Sequence, residues 1–306
     1  MPSIVLVASP LLMARSAQWN GGHTLVTPAD LSQGSGSAEN IEVIVTGETL
    51  DSGLVASLPN LKLVACFSTG YGGIDVALLR SRGIALTTAA GVNAHDVADH
   101  AIALLLAWWH RIPASDQRVR AGGWRDGLVP RPSLRGRRAG IVGLGRIGEH
   151  IARRAEALGL SVSWWGPHAK PEAAWPRAAS LLDLARDSDV LFVATRASPE
   201  NARQIDAAIL HALGPEAVLV NVSRGMLVDE AALLQALEQH AIAGAALDVF
   251  DCEPPDVSRW KALDNVVLSP HLAGYTQEAG SAMFGQLGEN LRRYFAGEPL
   301  LTPVSY

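Results

Sequence analysis

The stretch Gly140-Ile141-Val142-Gly143-Leu144-Gly145-Arg146-Ile147-Gly148 decides how the rest of the chain is read. An apolar run, Ala139–Val142, leads into Gly143-x-Gly145-x-x-Gly148, and helix-forming residues begin near Glu149. Between a strand and a helix, this pattern makes a phosphate-binding turn. The first glycine permits the tight bend, the second lets backbone approach a pyrophosphate, and the third lets the helix pack on the strand. Amides at the helix start then face the anion, with the helix dipole behind them. An ordinary glycine-rich turn between strand and helix is the plainer alternative.

Outward from the turn, Ser161–Trp165 reads as the next strand. A site for NAD expects Asp or Glu about 20 residues after the turn, bonded to the ribose hydroxyls. Here the strand runs into Gly166-Pro167-His168, with no carboxylate before Glu172. Without that acid nothing repels a 2′-phosphate. Gly166, His168, Lys170 and Arg196, with Arg146 from the turn, are the candidate groups around it. The expectation is NADPH/NADP as the preferred cofactor, with NADH/NAD as the alternative if these cations are ordinary surface groups.

Six strands with helices between them are expected from Arg138 onward: Ala139–Val142, Ser161–Trp165, Val190–Ala194, Val218–Val222, Gly244–Val249 and Val266–Leu268. That set makes a dinucleotide-binding sheet. Before it, Ile4–Ala8, Val43–Thr46, Leu63–Cys66 and Ile84–Thr87 are short β-branched runs alternating with turn and helix signals, the parallel α/β pattern. Gln33–Ser37 reads as a loop, and Ala94–Arg111 as one long buried helix ended by Pro113. Arg118–Arg138 is a polar connection, either wrapping a partner subunit or simply lying on the surface. The fold class expected is α/β with two doubly wound parallel-sheet domains. These are a discontinuous flavodoxin-like substrate domain, 1–93 with 275–306, and a Rossmann coenzyme domain, 94–274. Crossings near Asn93–Ala94 and Gly274–Tyr275 would be hinges.

Composition narrows the partners. The chain has 306 residues, 48% of them apolar and 18% charged, and a net charge of -5. This is a globular composition with no basic footprint for nucleic acid or an anionic membrane, so a small molecule is the expected partner. No apolar run reaches the ~18 residues of a membrane span, and a cytoplasmic location is expected. Cys66 and Cys252 lie outside any metal-ligand spacing, so no metal is expected, and both read as packing residues. Trp108, Trp109 and Trp124 read as core or interface aromatics.

Three late segments put polar residues at strand carboxyl ends, where open α/β sheets hold ligands: Asn221–Gly225 (NVSRG), Ala246–Pro254 (ALDVFDCEP) and Ser269–Gly274 (SPHLAG). Together with Ser68–Asp75 (STGYGGID), Val97–Ala107 (VADHAIALLLA) and GIVGLGRIG, in this order along most of the chain, they resemble the D-isomer-specific 2-hydroxyacid dehydrogenase family. With no ribose-binding acid, and with the segment Trp165–Lys170, the chain looks most similar to NADPH-dependent glyoxylate/hydroxypyruvate reductases.

The resemblance implies a catalytic set of Arg224, Glu253 and His271. Arg224 would hold the carboxylate and keto oxygen of a 2-keto acid through its fixed fork of donors. His271 would be the general acid, oriented by Glu253. Backbone amides around Thr69, Gly70 and Tyr71 would bind the substrate carboxylate. Asp248 would bond the nicotinamide carboxamide, and Arg146 and Ile147 would give amides to the pyrophosphate. A homodimer joined through the coenzyme domains is also implied. Asp99 stands where most relatives carry Glu, and Asp251 competes in sequence with Glu253 for the carboxylate role. Two other functions stay open: an NAD-linked dehydrogenase of a larger or phosphorylated D-2-hydroxy acid, and a non-catalytic, corepressor-like dinucleotide sensor.

Overall fold

The computed structural model describes residues 3–33 and 37–305. Residues 34–36, the centre of the expected Gln33–Ser37 loop, lie outside the described residues, as does Pro2. The chain forms two compact units: one runs to Asn93 and resumes at Thr276, the other spans Ala94–Tyr275.

The first unit contains β1 (Ile4–Val7), α1 (Pro10–Ala14), β2 (Thr24–Val26), α2 (Pro28–Ser32), β3 (Val43–Thr46), α3 (Ser52–Ala56), β4 (Leu63–Cys66), α4 (Val76–Ser81) and β5 (Ala85–Thr87). All pairings are parallel, in the order β2-β1-β3-β4-β5. Strand residues are apolar throughout because both faces are covered, and the period of two sorts them. Leu6, Ile44, Val64 and Cys66 enter one core, while Val5, Val7, Val43, Val45, Leu63 and Ala65 enter the other.

The second unit contains α5 (Ala94–Trp109), α6 (Ile112–Arg120), β6 (Arg138–Val142), α7 (Arg146–Ala157), β7 (Ser161–Trp165), α8 (Leu181–Arg186), β8 (Val190–Val193), α9 (Ala207–Leu213), β9 (Val218–Asn221), α10 (Glu230–Glu238), β10 (Gly244–Leu247) and β11 (Val266–Leu268). Its sheet is also parallel, ordered β11-β10-β9-β8-β6-β7. A single parallel bridge, Trp164 to Arg177, extends it beyond β7. Strand order reverses between β6 and β8, which is where such sheets open a crevice for ligands. The glycine turn follows β6 at that point. Then α11 (Gln277–Ala296) returns to the first unit, burying Phe284, Leu287 and Leu291 on the face of Val5, Val43 and Leu63. Each such side chain contributes at most ~1.5–3 kcal/mol.

The two doubly wound parallel-sheet units agree with the expected fold class. The long helix differs. It ends at Trp109, and Arg111 takes a left-handed backbone, φ 51°. Pro113 then lies in the first turn of α6, where its missing N–H costs nothing. The proline that was expected only to end a helix also begins one, and the polar connection starts at Ala121. α5 is buried against α7 and the sheet within its own unit. Trp109 is buried, whereas Trp124 is exposed. Cys252 is exposed rather than packed. Among the described residues no helix is long and apolar enough to cross a membrane.

Candidate active site

The glycine turn is built by close approach. Gly143 has φ 92°, a value that glycine adopts without strain. A Cβ on Gly148 would lie 2.0 Å from the carbonyl oxygen of Gly143, so only glycine lets α7 come this near to β6. Gly145, the residue that caps α7, has no side chain to occupy the first-turn amides, and a Cβ there would meet nothing within 4 Å. Open space thus faces the start of α7, where first-turn amides point, which fits a bound pyrophosphate.

At the end of β7, the Gly143 amide donates to the Trp165 carbonyl at 2.8 Å. The Gly166 carbonyl accepts from an Arg177 Nη at 2.7 Å, and that guanidinium lies 5.8 Å above the Trp164 ring. Arg146, His168 and Arg196 are exposed at the surrounding surface. Lys170 makes two contacts that its sequence neighbourhood does not announce. Its ammonium donates to the Leu144 carbonyl and stands 3.5 Å from the Glu149 carboxylate. A flexible cation takes the nearest anion and carbonyl, so its charge is directed at the turn itself.

Arg224, Glu253 and His271 follow β9, β10 and β11, three neighbouring parallel strands. The Asn221 side chain holds the arginine loop from both sides, donating to the Arg224 carbonyl at 3.1 Å and accepting from the Ser223 amide at 3.0 Å. Gly225 then packs directly on the next loop. A Cβ there would lie 1.9 Å from the Phe250 carbonyl carbon and 2.3 Å from the Asp251 nitrogen. Within that loop the Phe250 amide donates to Glu253 Oε1 at 3.1 Å. The other oxygen, Oε2, lies 2.6 Å from Nδ1 of His271. The Asp251 amide donates instead to Glu230, at 3.0 Å. His271 has φ 55°, an uncommon conformation for a residue with a side chain.

Asp248, at the end of β10, anchors the histidine turn. It is fully buried. Its oxygens accept from the Leu272 and Ala273 amides, both at 2.8 Å, and His100 Nε2 stands 3.2 Å from Oδ1. The Asp248 carbonyl accepts the His271 amide at 2.9 Å. Burial pushes this carboxyl up, but the bonds from His100, Ser269, Leu272 and Ala273 together outweigh it. The group is held below the usual carboxylate range.

In the first unit, Thr69, Gly70 and Tyr71 lie in the loop between β4 and α4. Asp75 closes that loop by capping α4, its carboxylate accepting the Leu78 amide at 2.9 Å. Gly73 approaches Thr49 so closely that a Cβ would stand 2.5 Å from its Cγ2.

Residues 102–273 match the NAD-binding domain of the D-isomer specific 2-hydroxyacid dehydrogenases. The chain belongs to this family. It is accordingly an oxidoreductase that acts on CH–OH groups with a nicotinamide dinucleotide. Glyoxylate/hydroxypyruvate reductase A of Arabidopsis thaliana is 40% identical over 255 residues, 83% of this chain and 82% of the relative. A 2-ketogluconate reductase of Gluconobacter oxydans is 37% identical over 98% of both chains. The crystal structure of an NADPH-dependent glyoxylate/hydroxypyruvate reductase from Sinorhizobium meliloti, in complex with NADP and malonate, superposes with a TM-score of 0.90 at 35% identity. It covers 100% of this chain and 97% of the other.

Some contributors to this dehydrogenase site were not legible from motifs. His100 lies on α5, where a polar group at the head of an apolar run was the available signal. Arg177 lies outside every motif, and nothing in sequence marks its bond to Gly166. Asp99, the departure from the family pattern, bonds Arg154 at 2.6 Å and is largely exposed. Its carboxyl is held low by that guanidinium.

Proposed function

We propose that this dehydrogenase reduces glyoxylate, hydroxypyruvate or a similarly small 2-keto acid to the D-2-hydroxy acid, with NADPH as its preferred reductant. The observation that carries the reading is the 2.6 Å Glu253–His271 pair at a strand end beside the Arg224 loop. A carboxylate only accepts hydrogen bonds, so Nδ1 bears the hydrogen between them and Nε2 remains to give its proton to the developing alkoxide. Glu253 fixes the orientation and tautomer of the ring. Arg224 binds the carboxylate and draws electron density from the keto carbon through the oxygen. The amides of Thr69, Gly70 and Tyr71 take the remaining carboxylate charge.

When bound, the nicotinamide supplies the hydride. The residues that would hold the cofactor are Gly143, Gly145 and Gly148, with the Arg146 and Ile147 amides at the pyrophosphate. Asp248, at the end of β10, would meet the carboxamide. The preference for NADPH rests on Gly166 in place of an acid, with His168, Arg196 and Arg146 as the cations near a 2′-phosphate. Lys170 acts behind them by holding the glycine turn. The substrate domain is the first unit and the coenzyme domain the second. A homodimer joined through the coenzyme units fits the exposed Val119, Trp124, Leu128 and Val129 on α6 and its following arm. A cytoplasmic location completes this reading.

The test is kcat/KM for NADPH and NADH across a panel of keto acids, with Gly166→Asp beside the parent protein. We expect highest turnover on the smallest acids and an NADPH preference that the aspartate lowers about tenfold through charge repulsion. A preference for NADH with large or phosphorylated acids would replace this reading. Tight cofactor binding without turnover of any acid would identify a sensor.

A further inference from the structure

The loop assigned above to the substrate carboxylate is underlain by a thiol. Cys66, the last residue of β4, is buried with 3% exposure on the face shared with Ile44 and Val64. Three carbonyl oxygens converge on its sulfur: Gly47 at 2.9 Å, Gly70 at 3.6 Å and Ser68 at 3.7 Å. Gly47 belongs to the loop after β3, and the other two to the loop after β4. The thiol therefore stands where two neighbouring strand ends open into loops.

Peptide units are planar and trans, so each C=O points opposite to the N–H of the following residue. With the Ser68 and Gly70 carbonyls turned toward the sulfur, the Thr69 and Tyr71 N–H groups are turned away from it. The Ser68 carbonyl has a second anchor, the Ala89 amide at 3.0 Å. The Gly70 carbonyl is reached by the thiol at 3.6 Å.

We propose that Cys66 is a positioning residue for the substrate carboxylate. Its S–H and its size hold the Gly70 and Ser68 carbonyls inward, so that the Thr69 and Tyr71 amides face the opposite side as an anion-binding pair. A single hydrogen serves three acceptors in turn, and the large sulfur radius sets the spacing of the two loops around it. The thiol stays protonated because burial, foremost, and the Glu48 charge push it up to about 12 against an opposing pull from the Ser68 backbone. It acts as a donor and takes no part in redox chemistry. This proposal rests on the reading that the turn binds the keto acid's carboxylate.

Steady-state kinetics with glyoxylate and NADPH on Cys66→Ser, Cys66→Val and Cys66→Ala test it. Valine keeps much of the volume and removes the donor. We expect its KM for glyoxylate, and its inhibition constant for the unreactive dicarboxylate oxalate, to rise about tenfold, the loss of one buried bond. The KM for NADPH should stay unchanged and kcat should stay within about twofold, since the reacting groups are untouched. Serine keeps a donor and should restore the KM to within about threefold of the parent. A valine variant with the parent's KM would overturn the proposal, as would serine and valine raising it equally. Thr69→Pro, which removes one of the turned amides, separates the two levels. If it leaves the KM unchanged, the reading of the turn fails and Cys66 with it. If it raises the KM while valine does not, only the role of Cys66 fails. Should the alanine variant not fold, the serine and valine pair decides.

Discussion

Two turns in this molecule follow parallel strands and present backbone amides, and they are built in different ways. Gly143–Gly148, in the second unit, is shaped by missing side chains. Gly148 meets the Gly143 carbonyl where a Cβ would be, and open space surrounds Gly145. Ser68–Gly73, in the first unit, also uses a missing side chain where Gly73 meets Thr49, but it is held besides by side chains that are present. Cys66 gathers its carbonyls from beneath, Thr49 fills the space against Gly73, and Asp75 closes its far end. A turn at a helix start can use the helix amides and needs only room. A turn between a strand and a short helix has no such array and must be held from inside. If both turns bind anions as proposed, such backbone has two designs, one written mainly in glycines and the other also in buried residues that look like packing.

The comparison can be broken or sharpened by substitution. The largest expected effect falls on neither turn but on the group both are proposed to serve. His271→Ala should lower kcat by ~10²–10⁴-fold with cofactor affinity unchanged in a fluorescence titration. Near-normal turnover would reassign the acid. Next come alanines placed in each turn. Gly148→Ala must push α7 away from β6, an overpacking cost of ~1–3 kcal/mol. It should weaken NADPH binding at least about tenfold on the same scale. Gly72→Ala meets nothing within 4 Å and should change stability by no more than ~0.5 kcal/mol. Equal cofactor loss in the two variants would dissolve the distinction between the designs.

The smallest effect concerns the support of α7. His150, one turn into that helix, stacks on His95 of α5 with ring centroids 3.8 Å apart. Burial first, then the His95, Arg154 and Arg153 charges, holds the His150 imidazole below its ordinary value, against a weaker opposing pull from Glu149. The unfolded chain therefore takes up this proton before the folded one as pH falls. Stability is complete above the ordinary imidazole range and declines as pH drops from about 7 toward the lowered value. Melting temperature against pH should show this decline in the parent protein and a flatter curve in His150→Gln. Parallel curves would mean that the stacked pair does not titrate with folding.

How much could be read in advance follows the same division. The two parallel sheets were legible, apart from the three-residue edge strand Thr24–Val26, because β-branched runs and their spacing need no tertiary information. The glycine turn was legible because steric rules select glycine. The break between α5 and α6 was not, because Arg111 adopts a left-handed backbone that nothing in its chemistry announces. The polar segments after β9, β10 and β11 were legible from the residues, but the choice of Arg224, Glu253 and His271 within them, and the pairing of the latter two, came from the family resemblance, and the 2.6 Å distance depends on strand order, which sequence does not state. The charge of Lys170 was visible in sequence, whereas its bond to the Leu144 carbonyl was not. Cys66 read as packing because a buried thiol and a buried methyl differ only in what converges on them.

Gly225 carries one more consequence. With no side chain between the arginine loop and the Phe250–Asp251 peptide, the two backbones share one contact surface and have no slack. On the proposed reading, a displacement of Arg224 on gripping a carboxylate would reach the loop of Glu253 directly, and through it the imidazole, so that the absence of one methyl group couples the proposed grip to the proposed proton donor.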